Sequence, residues 1–172
     1  MAGSPRIIPR WATHELLAQL ETHRVVSVVG CRQSGKTTIL LKTPLPHVKF
    51  QSLDVQANFS AAVADPSYFV RRRSPDILVI DEIQKVPQLI GEIKFQVDRN
   101  PEKGQYIISG SSDYRKLPQA NESLAGRAGL VRVRTFSEAE QRSMQPGFLQ
   151  ALFDGLLPLS LKFDCSKEMV LE

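Results

Sequence analysis

VVSVVG, then CRQS, then GKTTILL: residues 25–41 pass from an apolar β-branched run, through a short polar segment, into a second apolar run. The first run, nearly all valine, predicts a strand over 24–30 buried on both faces of a parallel sheet. The last predicts a helix from Lys36 that stops near Thr43, ahead of Pro44 and Pro46. Between them Gly30, Gly35, Lys36 and Thr37 fit G-x-x-x-x-G-K-[ST], a phosphate-cradling loop. Glycines let backbone N–H groups turn toward an anion with no Cβ in the way. The cradle comprises Gly30, Cys31, Arg32, Gln33, Ser34, Gly35, Lys36, Thr37 and Thr38. Lys36 is expected on the β/γ-phosphates, and the Thr37 hydroxyl on Mg²⁺.

On either side the chain alternates strands and helices. Ahead of the loop, Leu16, Leu17 and Leu20 share one face of a short helix, with Thr13 as its cap and Trp11 packed at its start. After the loop a second strand is expected over 48–53, and an Ala-rich helix over 56–64. Asp65-Pro66-Ser67 begins another helix, ending in Arg71, Arg72 and Arg73, which read as a solvated helix end complementing the dipole. ILVI at 77–80 is a third strand, and Leu89, Ile90, Ile93 and Val97 mark one face of the helix that follows. Residues 106–108 make a fourth strand. Over 130–136, Val131 and Val133 alternate with Arg132 and Arg134, a half-exposed strand near a sheet edge. The expected fold is α/β: a P-loop NTPase core with a mostly parallel five-stranded sheet and helices on both faces.

Ligands of such sheets bind at the carboxyl ends of the strands, where Gly30, Asp81 and Ser109 fall. An aspartate after four apolar strand residues fits the Mg²⁺-holding position of P-loop NTPases, so Asp81 joins Thr37 as a metal ligand. Glu82 beside it would orient or deprotonate an attacking water. Ser109 would sense the γ-phosphate or help place that water. Arg127 is the candidate arginine for charge spread over the transferring phosphoryl group.

GCRQSGKTT, DPSYFVRRRSPDILVIDEIQKVP, GQYIISGSS and ESLAGRAGLVRVRTFSEAE together resemble a family of prokaryotic ATP-binding proteins of the AAA+ superfamily. The resemblance runs from about Leu16 to Leu157. It implies ATP as ligand with Mg²⁺, and places Lys36, Thr37, Asp81 and Glu82 in the roles above. Ser109 falls where the family has Thr in LTGS, and Arg127 in the family's GR. Cys31 replaces the usual Pro of G-P-R-Q. Family members continue into a restriction-endonuclease-like domain, so this chain is expected to be truncated, with 1–23 as lead-in, 24–142 as ATPase core and 143–172 as linker and tail. Phe148, Leu149, Leu152 and Phe153 would form a docking helix.

With 172 residues and a net charge of +4, the chain can hold one well-cored domain, and the charge alone does not argue for nucleic acid. Arg71 to Arg73, Arg132 and Arg134 support a nucleic-acid partner only thinly, because no aromatic residue interleaves them. Two cysteines, Cys31 and Cys165, without metal spacing, read as a reducing compartment and a cytoplasmic protein. No apolar run approaches the ~18 residues of a membrane span. A homo-oligomer, or a protein partner standing in for the second domain, is the remaining partner expectation. An ATP-binding switch with little turnover stands as the alternative to an ATPase.

Overall fold

Valine repeated at 25, 26, 28 and 29 leaves strand β1 (Val25–Val29) with no polar face to turn to water, and all five of its residues are buried. The computed structural model describes residues 10–72, 74–111, 124–137 and 140. Around β1 lie α1 (Trp11–Thr22), α2 (Lys36–Lys42), β2 (Val48–Ser52), α3 (Gln56–Ala64), α4 (Pro66–Phe69), β3 (Ile77–Asp81), a 3₁₀ turn (Ile83–Lys85), α5 (Gln88–Arg99), β4 (Tyr106–Gly110) and β5 (Ala128–Arg132). The strands form one sheet in the order β2-β3-β4-β1-β5. Every pairing is parallel: Val25 lies opposite Tyr106 on one side and Ala128 on the other, and Val48 lies opposite Ile77.

Alternation along the strands feeds two apolar layers. Val25, Leu78, Ile80, Tyr106 and Ile108 meet Leu89, Ile90, Ile93 and Val97 of α5 and Ala62 of α3. Val26, Val28, Val79, Ile107 and Val131 meet Ala12, Leu16 and Leu20 of α1 and Ile39 and Leu40 of α2. Each buried valine, leucine or isoleucine among them contributes about 1.5–3 kcal/mol relative to exposure. The expected five-stranded α/β architecture is therefore present. No helix among the described residues is long and apolar enough to cross a membrane.

Four local expectations need correction. α1 begins at Trp11 with Arg10 at its cap position, and Thr13 is already helical. A longer-range contact supports the earlier start: the Trp11 N–H, one of the orphan donors of the first turn, donates to the Glu140 carboxylate (3.0 Å). Trp11 is 70% exposed instead of packed, because Ala12, four and eight residues before Leu16 and Leu20, takes the buried face. α4 ends at Phe69, ahead of the arginines, with Asp65 accepting from the Tyr68 N–H (2.9 Å). Arg72 is then not a solvated helix end but a buried guanidinium (8% exposed) paired with Glu102. β5 starts at Ala128, two residues early, while the alternation holds: Val131 is buried and Arg132 exposed at the sheet edge. Arg73, Ser112, Glu122 and Ser123 at the start of the SLAGR segment, and residues 141–172 lie outside the described residues.

Candidate functional site

Because the strands are parallel, the ends of β1, β3 and β4 open at one edge, and register sets their side chains level. Val28 lies opposite Ser109, and Ile80 opposite Ile108. Gly30, Asp81 and Ser109 thus border one crevice.

The loop leaving β1 is tightly walled. A Cβ on Gly30 would lie 2.2 Å from the Val133 carbonyl oxygen and 2.7 Å from Ser34 Oγ. Gln33 and Gly35 take positive φ, +66° and +92°, bending the chain back before α2 begins at Lys36. Gly30→Ala is expected to push the segment after β5 outward, costing about 1–3 kcal/mol in urea unfolding. An unchanged unfolding midpoint would show the walls to be looser than this.

Inside the loop Lys36 is 5% exposed, and its ammonium donates to the carbonyls of Gly30 (3.1 Å) and Cys31 (3.0 Å). Three donors with two engaged leave one free, and loop carbonyls are partners an anion can displace. Ser34 Oγ is buried without a hydrogen-bond partner among the described residues. An orphaned hydroxyl in a concave, donor-rich loop fits an oxyanion ligand. Cys31, Arg32, Gln33, Thr37 and Thr38 line the outer, exposed side.

Across the crevice Asp81, 2% exposed, gathers the oxygen donors. Its Oδ2 accepts from Thr37 Oγ1 (2.9 Å), and its Oδ1 from the Ser109 hydroxyl and the Glu82 N–H (3.1 Å). Hydroxyl and carboxylate oxygens are the hard donors that Mg²⁺ prefers, so Thr37 and Asp81 fit that ion. Directly after Asp81 the chain turns out of the sheet: Glu82 takes a left-handed conformation (φ +60°, ψ +44°), uncommon for a residue with a Cβ. Its carboxylate accepts from the Gln84 side-chain amide. Gln84 belongs to the DEIQKVP segment that carries the family resemblance, but the sequence gives it no role of its own.

Arg127 is not brought to the crevice. Its carbonyl accepts from the Val25 N–H (3.3 Å), which puts it at the amino end of β1, the opposite edge of the sheet. There its guanidinium pairs with Asp98 (Nη2 to Oδ2, 3.2 Å), a hydrogen bond that holds the Asp98 carboxyl below its usual range. Lys36, Thr37, Asp81, Glu82 and Ser109 are placed together; Arg127 is not.

Arg10 is the residue that sequence reasoning missed. It donates to the Ser34 carbonyl (3.0 Å), the Arg134 carbonyl (2.6 Å) and Glu140 Oε1 (3.2 Å), and its guanidinium lies 4.3 Å from the Phe136 ring centre. One buried cation therefore ties the loop to the segment beyond β5. Burial raises the pKa of Glu140, but the Ser137 and Trp11 N–H groups and Arg10 outweigh that and hold it below the usual value. Arg10→Met is expected to cost about 3 kcal/mol, since it removes a buried guanidinium hydrogen-bonded to Ser34, Arg134 and Glu140. A Glu140→Gln variant should lose stability at neutral pH. The folded-state pKa being lowered, that difference is present above the unfolded value of about 4.5 and vanishes as pH falls through the folded one. Urea melts at pH 7 and pH 3 check both, and a difference that grew toward pH 3 would reverse the sign.

A family model described as an AAA domain matches residues 22–141. Uncharacterized proteins of Mycobacterium bovis and Mycobacterium tuberculosis are 34% identical over 125 residues, covering 71% of this chain and 27% of theirs. The chain thus spans about a quarter of the length of the curated relatives it matches. Among solved structures, the Walker-type ATPase PABY2304 of Pyrococcus abyssi aligns with a TM-score of 0.54 at 14% identity, over 80% of this chain and 56% of that one. The AMPPCP-bound DnaA of Aquifex aeolicus aligns with a TM-score of 0.52 at 18% identity, over 87% and 56%. At such identities these two structures show a shared P-loop NTPase fold.

Proposed function

The chain belongs to the AAA domain family, and from that membership we propose that it binds ATP with Mg²⁺ in the crevice over β1, β3 and β4 and hydrolyses it. The observation that carries this reading is the meeting of a buried lysine, an orphaned loop hydroxyl and a hydroxyl–carboxylate–hydroxyl chain at one sheet edge.

Each residue's part follows from its contacts. Lys36 exchanges the Gly30 and Cys31 carbonyls for β/γ-phosphate oxygens, and Ser34 Oγ gains the partner it lacks. Thr37 and Asp81 would hold the metal. When bound, Mg²⁺ supplies neutralisation of the charge that develops on the phosphate oxygens. Glu82, its carboxylate fixed by Gln84, orients the attacking water and accepts its proton. Ser109, bonded to Asp81 Oδ1, steadies that carboxylate and borders the γ-phosphate. Phosphoryl transfer asks for little covalent chemistry from the protein, so positioning and charge are most of what the site must provide.

A cavity of about 750 Å³, lined by Trp11, Glu15, Arg132 and Thr135, adjoins the loop through their shared neighbour Arg10, and gives the base a place beside the cradle. Trp11 is the chain's one tryptophan, so its emission is expected to change on ATP binding. Emission that stays constant through saturation, followed by an independent binding signal, would move the base elsewhere.

Steady-state phosphate release from ATP with Mg²⁺ tests the reading, with GTP as a second substrate. Release above background that EDTA abolishes supports it; background rates for both nucleotides contradict hydrolysis. A second reading, an ATP-dependent switch with slow turnover, is favoured by the position of Arg127. Held by Asp98 at the far edge, Arg127 does not reach the crevice, and on this reading a second copy or partner supplies an arginine there. Specific activity then rises with protein concentration.

A further inference from the structure

On the sheet edge opposite the crevice, two exposed arginines and the exposed Phe95 ring line a second cleft, with the exposed Tyr68 ring beside Arg71 just outside it, and we propose that this cleft binds single-stranded nucleic acid. The cleft, about 530 Å³, lies between the segment after α4 and the carboxyl end of α5, over Tyr106 at the amino end of β4. It shares no residue with the nucleotide crevice, which sits at the other ends of the same strands.

Its parts differ in what they can offer a ligand. Arg72 is spent on structure: it donates to Gln105 Oε1 (3.3 Å), the Asp76 carbonyl (3.1 Å) and the Glu102 carboxylate, and forms the floor. Arg71 and Arg99 are exposed and have no carboxylate partner among the described residues. Each guanidinium instead lies over a ring, Arg71 at 5.7 Å from the centre of Tyr68 and Arg99 at 4.3 Å from that of Phe95. The rings are 68% and 51% exposed, unusual for large apolar groups, and no acidic side chain is among the described residues lining the cleft. Folding thus supplies what the arginine run lacks in sequence. The aromatic partners come from three residues before Arg71, and from α5, which packs against α4.

A polyanion with flat faces matches this set. Phosphates take bidentate bonds from guanidinium groups. Bases stack on rings and on guanidinium planes with little regard to sequence. A duplex hides its base faces in the stack, and a concave cleft cannot enter a groove, so the strand must be single. An acidic peptide would use the arginines but leave both rings idle.

Anisotropy of a labelled oligothymidylate of about 12 nucleotides, with the full chain at about 20 mM salt, reads the outcome. Saturable binding is expected. Arg71→Ala with Arg99→Ala should weaken it at least tenfold and lower the salt slope by about 1.4, about 0.7 for each lost phosphate contact. Tyr68→Ala or Phe95→Ala should weaken it about tenfold with the slope unchanged. Lys36→Ala should leave it as it was, separating this cleft from the ATP site. All four side chains are exposed, and thermal melts confirm that the variants fold. Absence of binding overturns the proposal. So does a double arginine variant that binds like the parent, a duplex bound as tightly as the single strand, or ring variants without effect.

Discussion

Glu82→Gln is expected to lower single-turnover phosphate release by a factor of about 10²–10³ while ATP affinity stays within about twofold. The substitution keeps the shape of the side chain and its acceptor oxygen, so the contact with the Gln84 amide survives. The left-handed backbone at Glu82, which lifts it out of the strand while Asp81 stays level with Thr37 and Ser109, is untouched as well. What disappears is the ability to take a proton from water. Rapid-quench measurement at saturating ATP isolates that step, and nucleotide titration of the same variant measures affinity. Equal rates for the two proteins, both well above background, would remove Glu82 from the chemistry and leave water placement to Ser109. Gln84→Ala should lie between them, because it frees the carboxylate without deleting it.

Lys36→Ala is expected to weaken ATP binding by about 10²–10⁴-fold. Hydrogen bonds to a charged group contribute about 1.5–3 kcal/mol each, and this ammonium can give two to phosphate oxygens. In the free protein the same ammonium holds the Gly30 and Cys31 carbonyls together, so the variant also loosens its own loop. A thermal melt without nucleotide separates the two effects. A loss of binding with a melt within a few degrees of the parent assigns it to the missing contact. Loss of folding would instead give Lys36 a mainly structural part, and Lys36→Met, which retains most of the packing volume, would then be the variant to titrate.

Much of this geometry is written locally in the chain. The valine run names β1 because a strand with no polar face must be central, and the structure places β1 between β4 and β5. The loop is legible because its glycines and lysine act within eight residues of one another. Asp81 is legible because parallel strands end together, so an acid after ILVI must face the loop. The unread parts depend on distant chain. Arg10 reaches partners 24, 124 and 130 residues away, which no spacing announces. Trp11 and Thr13 depart from the local pattern in the same way, because the first N–H of α1 bonds a carboxylate 129 residues away. Arg127 precedes the first residue of β5, and a parallel strand that starts beside Val25 must carry it to the edge away from Gly30. Placing β5 two residues late concealed that consequence. Arg72 resembled a solvated charge until Glu102 and Gln105, about 30 residues on, folded over it.

Calorimetric titration of the unmodified chain with ATP, once with Mg²⁺ and once with EDTA, puts the crevice itself to the test. The geometry predicts one saturable site, tighter with Mg²⁺ because Thr37 and Asp81 then hold a cation instead of only each other. No heat of binding up to millimolar ATP, or equal affinity with and without the metal, would contradict it.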